Sequence, residues 1–436
     1  MYQAYITTIK NLRPHPNADR LDLGECFGNT VCVGRWEYAE GDLVVYFPTD
    51  GQLSEEFCAQ HNLVRRKDDA GNNIGGYLDP AKRNVKAISL RGEKSDGLVM
   101  PLKSLEYTGV DIHGLEVGFC FTTVNGKEIC CKYIPRRSGR AAAGGANRTR
   151  KKKVPTAPLF AEHADTEQLA YNLSAFRPGD EIEITLKMHG TSQRTGYLPV
   201  LQGYHRTIWD RLFRREGEPI YDYGYVSGTR RTVLEDFDGG YYGSNEFRET
   251  HSKQFEGKLW KGETVYYEVV GFTTSGAPIM GDGSNEKLGK DFVKQYGKTT
   301  RFSYGCADAQ SDCYVYRMTM TNPDGQVVEY TPDFMRYRCE QMGVKTVPVF
   351  HRCFLDPCAE DIGEVVQQLA EQYYDGPDPV GKAHVREGVV VRIVNRPKFA
   401  AFKHKNFAFK VIEGIVKDTA EAPDMEEAQE EERTND

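Results

Sequence analysis

The stretch RRSGRAAAGGANRTRKKK, from Arg136 to Lys153, constrains this chain more than any other feature: it sets eight Lys or Arg among Ala and Gly, with no hydrophobic run. A segment with no apolar side to bury cannot be a strand or helix of a core. It is a linker or a mobile loop, and 436 residues suffice for two domains with real apolar interiors. Two readings of the segment stay open. It is a solvated tether, or a tether that also grips phosphates, since counterion release rewards clustered cations.

The other end has the opposite bias. Asp418 to Asp436 carries nine acidic residues and one arginine, or −8, against −7 for the whole chain, so the remainder is +1. A net negative charge therefore does not exclude a polyanionic partner. The segment lacks apolar periodicity and reads as a disordered tail; the functional alternative is a strand mimic that competes with nucleic acid for a basic groove. No run approaches the roughly 20 apolar residues that span a bilayer. The opening MYQAYITTIKNLRPHPNADR has no apolar core of the signal-peptide kind. No membrane partner is expected, and a cytoplasmic, reducing location is. The eleven cysteines include no CxxC pair, which argues against a zinc cluster and for reduced, mostly buried thiols.

Ahead of the basic segment, short alternating runs at Thr30 to Arg35, Asp42 to Phe47 and Val85 to Ser89 are separated by Gly, Asn, Asp and Pro turns. This pattern predicts a small β-barrel over residues 1–133. His15 reads as a turn or capping residue. Arg35, Trp36, Arg65 and Arg66 are candidate nucleic-acid contacts, with packing as the alternative for Trp36 and Tyr46.

The second part carries the chemistry. In EIEITLKMHGTSQRTGYL the alternation of Ile182, Ile184 and Leu186 marks a strand that ends on Lys187, and Gln193 to Leu198 can return as a second strand. Gly190 lets backbone and a compact phosphate approach closely. A lysine nitrogen can accept a nucleotidyl group and later release it. An amine with an ordinary pKa of about 10.4 must first lose its proton, which a nearby cation or metal favours. A helix is expected over Ala359 to Tyr373, where Ile362, Val365, Val366, Leu369 and Tyr373 recur at helical spacing.

KMHGTS (187 to 192) resembles the KxxG motif of the covalent nucleotidyltransferases, which include DNA ligases, RNA ligases and mRNA capping enzymes. Four more segments follow in that superfamily's order: YVSGTRRTV (Tyr225 to Val233), TVYYEVVGF (Thr264 to Phe272), VREGVVVRI (Val385 to Ile393) and AFKHKNFAFKV (Ala401 to Val411). YVYRM (Tyr314 to Met318) is a weaker match. HPNADRLDLGEC and VCVGRWEYAEGDLVVYFPTDG in the first domain are similar to the OB folds of tRNA-binding proteins and of one branch of RNA ligases. His189 and Thr191 lie closer to RNA ligases than to DNA ligases.

The resemblance implies an α+β chain: an OB-like barrel over 1–133, a basic linker over 134–158, an ATP-grasp-like nucleotidyltransferase domain of two antiparallel sheets with flanking helices over 159–417, and the acidic tail over 418–436. It implies Lys187 as the nucleophile that takes AMP, with Lys403 and Lys405 clamping phosphate. His189, Gly190, Arg230 (rival Arg231), Glu268, Tyr316 (rival Tyr314) and Glu387 would bind nucleotide, Tyr316 by stacking on adenine. Glu387 would hold Mg²⁺ or Mn²⁺, since hard oxygen ligands suit such ions. ATP is the implied substrate, and RNA with 5'-phosphate and 3'-hydroxyl ends, in a nicked duplex, the implied partner of a monomer. The alternatives are a capping-type guanylyltransferase, which would use GTP, and a non-catalytic RNA-binding protein.

Overall fold

The computed structural model describes residues 2–134 and 155–419, apart from 73, 214, 216, 235, 239–241 and 243. Nearly all of the basic linker and the acidic tail beyond residue 419 lie outside the described residues. Among the described residues, no helix is long and apolar enough to cross a membrane. Among the described residues, the eleven cysteines form no disulfide.

The chain divides into two units. The first joins the N-terminal residues through 134 with Gly283–Thr299 and the helix Phe407–Thr419. The linear division expected from the sequence assigns both of these later segments to the second domain. Within this unit, four antiparallel strands run in the order Cys120–Phe121, Ala4–Thr8, Leu43–Phe47, Leu98–Pro101. A three-stranded sheet holds Lys10–Pro14, Leu21–Cys26 and Asn29–Gly34. The expected strands are therefore present, with Val85 to Ser89 realised as Ala87–Leu90. Ile6, Val45, Phe47, Phe57 and Leu105 are fully buried in one core, each large side chain contributing about 1.5–3 kcal/mol. Ser54 caps the helix Glu55–Gln60 by accepting from the Phe57 N–H at 3.1 Å. The amine of Lys410 pairs with the buried Asp96 at 2.6 Å, which fixes the C-terminal helix to this unit. His15 proves to be the turn residue anticipated: its Nδ1 accepts from the Asn17 N–H at 3.0 Å and its Nε2 lies 3.1 Å from the Leu90 carbonyl.

The second unit contains two sheets. In the first, the strand order is Glu167–Gln168, Ala400–Lys405, Gly388–Ile393, Glu181–Lys187, Val349–Phe354. The apolar alternation works as read: Ile182, Ile184 and Leu186 are buried on one face with Val389, Val391 and Phe402. Against that face lies the helix Ile362–Tyr373, through Val366 and Ala370. The helix starts three residues later than expected because Asp361 is its N-cap, accepting from the Glu364 N–H at 2.9 Å. The second sheet runs Val233–Leu234, Glu218–Gly228, Thr191–His205, Glu263–Gly271, Ser311–Thr321, Val327–Glu329. Its buried face packs Val265, Tyr267, Val269 and Val315 against Phe247 and Met335. Strands Glu181–Lys187 and Thr191–His205 belong to different sheets, so Met188, His189 and Gly190 are the link between them.

Candidate active site

Strand alternation places Glu183, Thr185 and Lys187 on the face opposite the apolar one. The register then aligns three positions across the sheet: Lys187 is opposite Gly388, and Gly388 is opposite Lys405. Glu387, immediately before this row, is only 2% exposed. Its Oε1 lies 2.8 Å from Lys187 Nζ and 3.4 Å from Lys405 Nζ, and its Oε2 lies 3.8 Å from His189 Nδ1. A buried carboxylate with three basic neighbours meets the requirement that buried charge be paired. Gly388 permits the arrangement. Its φ is +150°, and a Cβ there would stand 2.1 Å from the His404 carbonyl oxygen.

The link between the sheets is equally tight. A Cβ on Gly190 would meet the Val269 carbonyl oxygen at 2.3 Å, so the turn that carries His189 past the second sheet admits only glycine. The His189 N–H donates to the Tyr304 hydroxyl at 2.6 Å, and its ring packs edge-on against Phe302 at 4.7 Å. Arg248 reaches the Ser192 carbonyl at 3.1 Å and also bonds the Thr191 hydroxyl, which fixes the start of the returning strand. In the second sheet Ser192 is opposite Glu268, and Glu268 is opposite Tyr314. Glu268 thus stands one strand away from the residue that follows Gly190 and Thr191.

Between Tyr266 and Tyr267 the register with Ser311–Thr321 shifts, so that Tyr266 faces Arg317 and Tyr267 faces Val315. Tyr316 is the extra residue of this bulge. Its hydroxyl is 2.9 Å from the Ser192 hydroxyl, and its ring centroid is 5.3 Å from that of His163. Its rival Tyr314 is buried, with its hydroxyl on Asp312. Tyr316 is the more accessible ring of the two. Burial and the nearby Arg230 and Arg317 guanidinium groups push the His163 pKa down to about 3, so this ring is neutral near pH 7. Arg230 and Arg231 both pair with Asp165, at 2.5 and 3.1 Å, so this geometry does not choose between them.

Lys403 lies two residues before Lys405 on the same strand, opposite Val390 and Gln168. His404 turns to the other face and packs on Tyr374 at 4.8 Å, as alternation requires. Arg35, Trp36, Arg65 and Arg66 belong to the first unit. Trp36 is 85% exposed and not a packing residue, with the Arg35 guanidinium 5.0 Å from its ring; Tyr46, by contrast, is core. The Arg66 guanidinium bonds the Asn62 side chain at 3.1 Å, and the Arg65 N–H bonds the Leu78 carbonyl.

Sequence reading missed Tyr304, Phe302 and Arg248. Tyr304 sits in RFSYGC, which has no periodicity, and its φ of +51° is its sole local peculiarity. Burial, followed by the charge of Glu387, holds its hydroxyl protonated far above the ordinary tyrosine range. Tyr304→Phe removes the acceptor of the His189 N–H and should slow whatever reaction Lys187 performs by about tenfold, the worth of one buried hydrogen bond. Single-turnover rates of Lys187 modification check this, and an unchanged rate would show that the turn holds without the hydroxyl.

Among the described residues no cluster of three or more His, Cys, Asp or Glu could cage a metal ion. A single buried carboxylate, Glu387, suits an ion that takes one or two carboxylates and completes its shell from phosphate and water, as Mg²⁺ does.

Comparison with known proteins agrees with this layout. An OB-fold domain family model matches residues 3–102. No curated protein matches the sequence. Among solved structures, Naegleria gruberi RNA ligase with pyrophosphate superposes with a TM-score of 0.55 at 17% identity, over 93% of this chain and 97% of that one. A variant of the same ligase with ATP and Mn gives 0.54 at 17% identity, over 94% and 97%. Another, with AMP and Mn, gives 0.53 at 16%, over 93% and 97%. The chain therefore has an N-terminal OB-fold domain and, over almost its whole length, the α+β fold of these solved RNA ligases.

Proposed function

We propose that this protein is an ATP-dependent RNA ligase that joins 5'-phosphate and 3'-hydroxyl ends through an adenylate on Lys187. The observation that carries the reading is the row Lys187, Gly388, Lys405 with Glu387 buried at its head, because two amines beside one buried carboxylate are the groups that a nucleophile, a phosphate clamp and a metal ligand would require. The solved ligases of the same fold, with ATP or AMP and Mn, support ATP and a divalent ion as the substrate and cofactor.

In the first step Lys187 Nζ, as the free amine, attacks the α-phosphorus of ATP. A P–N bond forms, the bond to pyrophosphate breaks, and the amine gives up a proton. Lys405 and Lys403 hold the negative charge that grows on the α-phosphate oxygens. Glu387 is the residue that would hold Mg²⁺ or Mn²⁺, which when bound neutralises phosphate charge and engages the carboxylate now paired with Lys187. Tyr316 stacks on the adenine, Glu268 accepts from a ribose hydroxyl, and His189 and Gly190 border the phosphates. In the second step an oxygen of an RNA 5'-phosphate displaces Lys187 from AMP. In the third a 3'-hydroxyl oxygen attacks that 5'-phosphate, and AMP leaves. Arg230 or Arg231, released from Asp165, contacts the sugar or the incoming strand.

The OB-fold domain with Arg35, Trp36, Arg65 and Arg66, and the basic linker after it, would hold a strand of a nicked duplex. The placement of this domain before the nucleotidyltransferase domain, and not after it, supports nick repair over capping. Incubation with α-labelled ATP or GTP tests the proposal: covalent label from ATP that survives alkali and is lost in acid, as a P–N bond requires, and sealing of a nicked duplex with an RNA 3'-hydroxyl end, are expected. Label from GTP alone would establish the capping reading, and label from neither would establish a binding protein.

A further inference from the structure

The strands Thr191–His205 and Glu218–Gly228 outrun the sheet they belong to. Their pairing continues from Arg194 and Gly228 to His205 and Glu218, whereas the neighbouring strand Glu263–Gly271 accompanies Thr191–His205 only as far as Gly196. On the other side Val233–Leu234 pairs only with Ser227 and Gly228. Beyond those points the chain is a two-stranded ribbon.

The ribbon is rich in aromatic residues on one face. Tyr225, Tyr223 and Tyr221 are opposite Tyr197, Pro199 and Leu201, which places all of them on the same side of the pleat. Tyr197 stacks on Tyr225 at 4.7 Å and lies 5.7 Å from Tyr223, and the Lys261 amine is 4.8 Å from the Tyr223 ring. At the tip, the short helix Ile208–Leu212 leaves Ile208 82%, Trp209 68% and Leu212 68% exposed, and Phe213 just beyond it is 61% exposed. Trp209 and Phe213 are already nearly parallel, 14° apart with centroids at 6.1 Å, and the Arg215 guanidinium is 5.7 Å from Phe213. Between His205 and Arg215 the sequence has four arginines and one aspartate, or +3.

We propose that this tip binds single-stranded polynucleotide, with Trp209 and Phe213 as stacking platforms for bases and Arg206 and Arg215, both exposed, as contacts to phosphate. Exposed parallel rings set among cations are what base stacking and a polyanion need, and stacking tolerates any sequence. A membrane surface suits the patch poorly. Amphipathic helices that lie in the bilayer interface need a long apolar face, whereas this helix has five residues and its neighbours on the ribbon are tyrosines. The inference rests on the ligase reading, in that the segment held would be an unpaired stretch of the RNA whose nick the site seals.

The test uses the full chain with both rings removed, Trp209→Ala with Phe213→Ala, and a dye-labelled single-stranded RNA oligonucleotide read by fluorescence anisotropy. The Kd should rise at least tenfold, the slope of log Kd against log salt should stay the same because no phosphate contact is removed, and Trp209→Phe should restore much of the affinity. Labelling of Lys187 by ATP should be unchanged in the variant. An unchanged Kd for RNA overturns the proposal, as does a variant that keeps RNA affinity but loses binding to vesicles of anionic phospholipid. If the unsubstituted protein takes no label from ATP but the variant loses RNA affinity, the ligase reading falls and the binding surface stands.

Discussion

Lys187→Ala should abolish covalent loading of AMP and with it the sealing of 5'-phosphorylated RNA, a loss on the order of 10⁴-fold or more because no other group can take over a covalent step. Lys405 does not replace it: its amine is held 3.4 Å from Glu387 Oε1, one strand pair further along the sheet. The same variant should still join a strand supplied with AMP already on its 5'-phosphate, since the third step needs the clamp and not the nucleophile. Label measured on denaturing gels after incubation with ATP, beside sealing of both strand types, distinguishes the steps. Persistent label on the alanine variant would move the nucleophile elsewhere, and the whole catalytic proposal with it.

The second large effect is on stability. Glu263 is fully buried and accepts from four groups: Arg338 Nε and Nη2, both at 2.8 Å, the Tyr330 hydroxyl at 3.0 Å and the Trp260 N–H at 2.8 Å. The Arg338 guanidinium lies on the Trp260 ring at 3.8 Å and donates to the Lys258 carbonyl at 3.0 Å. Glu263→Ala leaves this guanidinium buried without its carboxylate, which costs about 3–5 kcal/mol. The transition assigned to the second unit should shift accordingly in urea unfolding followed by tryptophan fluorescence, as Trp260 reports locally. Adding Arg338→Met should recover part of the loss, because the unpaired charge goes with it. A single substitution that costs under about 1 kcal/mol would mean that water reaches the pair.

Some of the site was legible because its residues lie on regular strands. Alternation around Ile182, Ile184 and Leu186 is enough to put Lys187 at a strand end on the polar face. The KHK spacing likewise implies that His404 turns away from both lysines. Gly190 was legible too, as a close approach. What escaped were groups whose position follows from no period. Tyr304 lies in an irregular segment more than a hundred residues from His189, and Arg248 sits on the helix Glu246–Lys253 with nothing in its neighbours to mark it. That Tyr316 is more accessible than Tyr314 follows from a bulge, a register shift that depends on the pairing partner and not on the strand's own pattern.

Domain limits show the same division. The basic segment after residue 135 suggests a chain of two parts, because a stretch without a hydrophobic run has no face to bury in a core. It could not warn that Gly283–Thr299 and Phe407–Thr419 belong to the first part, since an amphipathic helix states that it has a face to bury and not which core receives it. By itself, then, the sequence determined strand faces, turns and the order of chemical groups, all consequences of local geometry. Only the tertiary structure decided that Glu387 is buried among Lys187, Lys405 and His189, because that neighbourhood comes from pairing strands some two hundred residues apart.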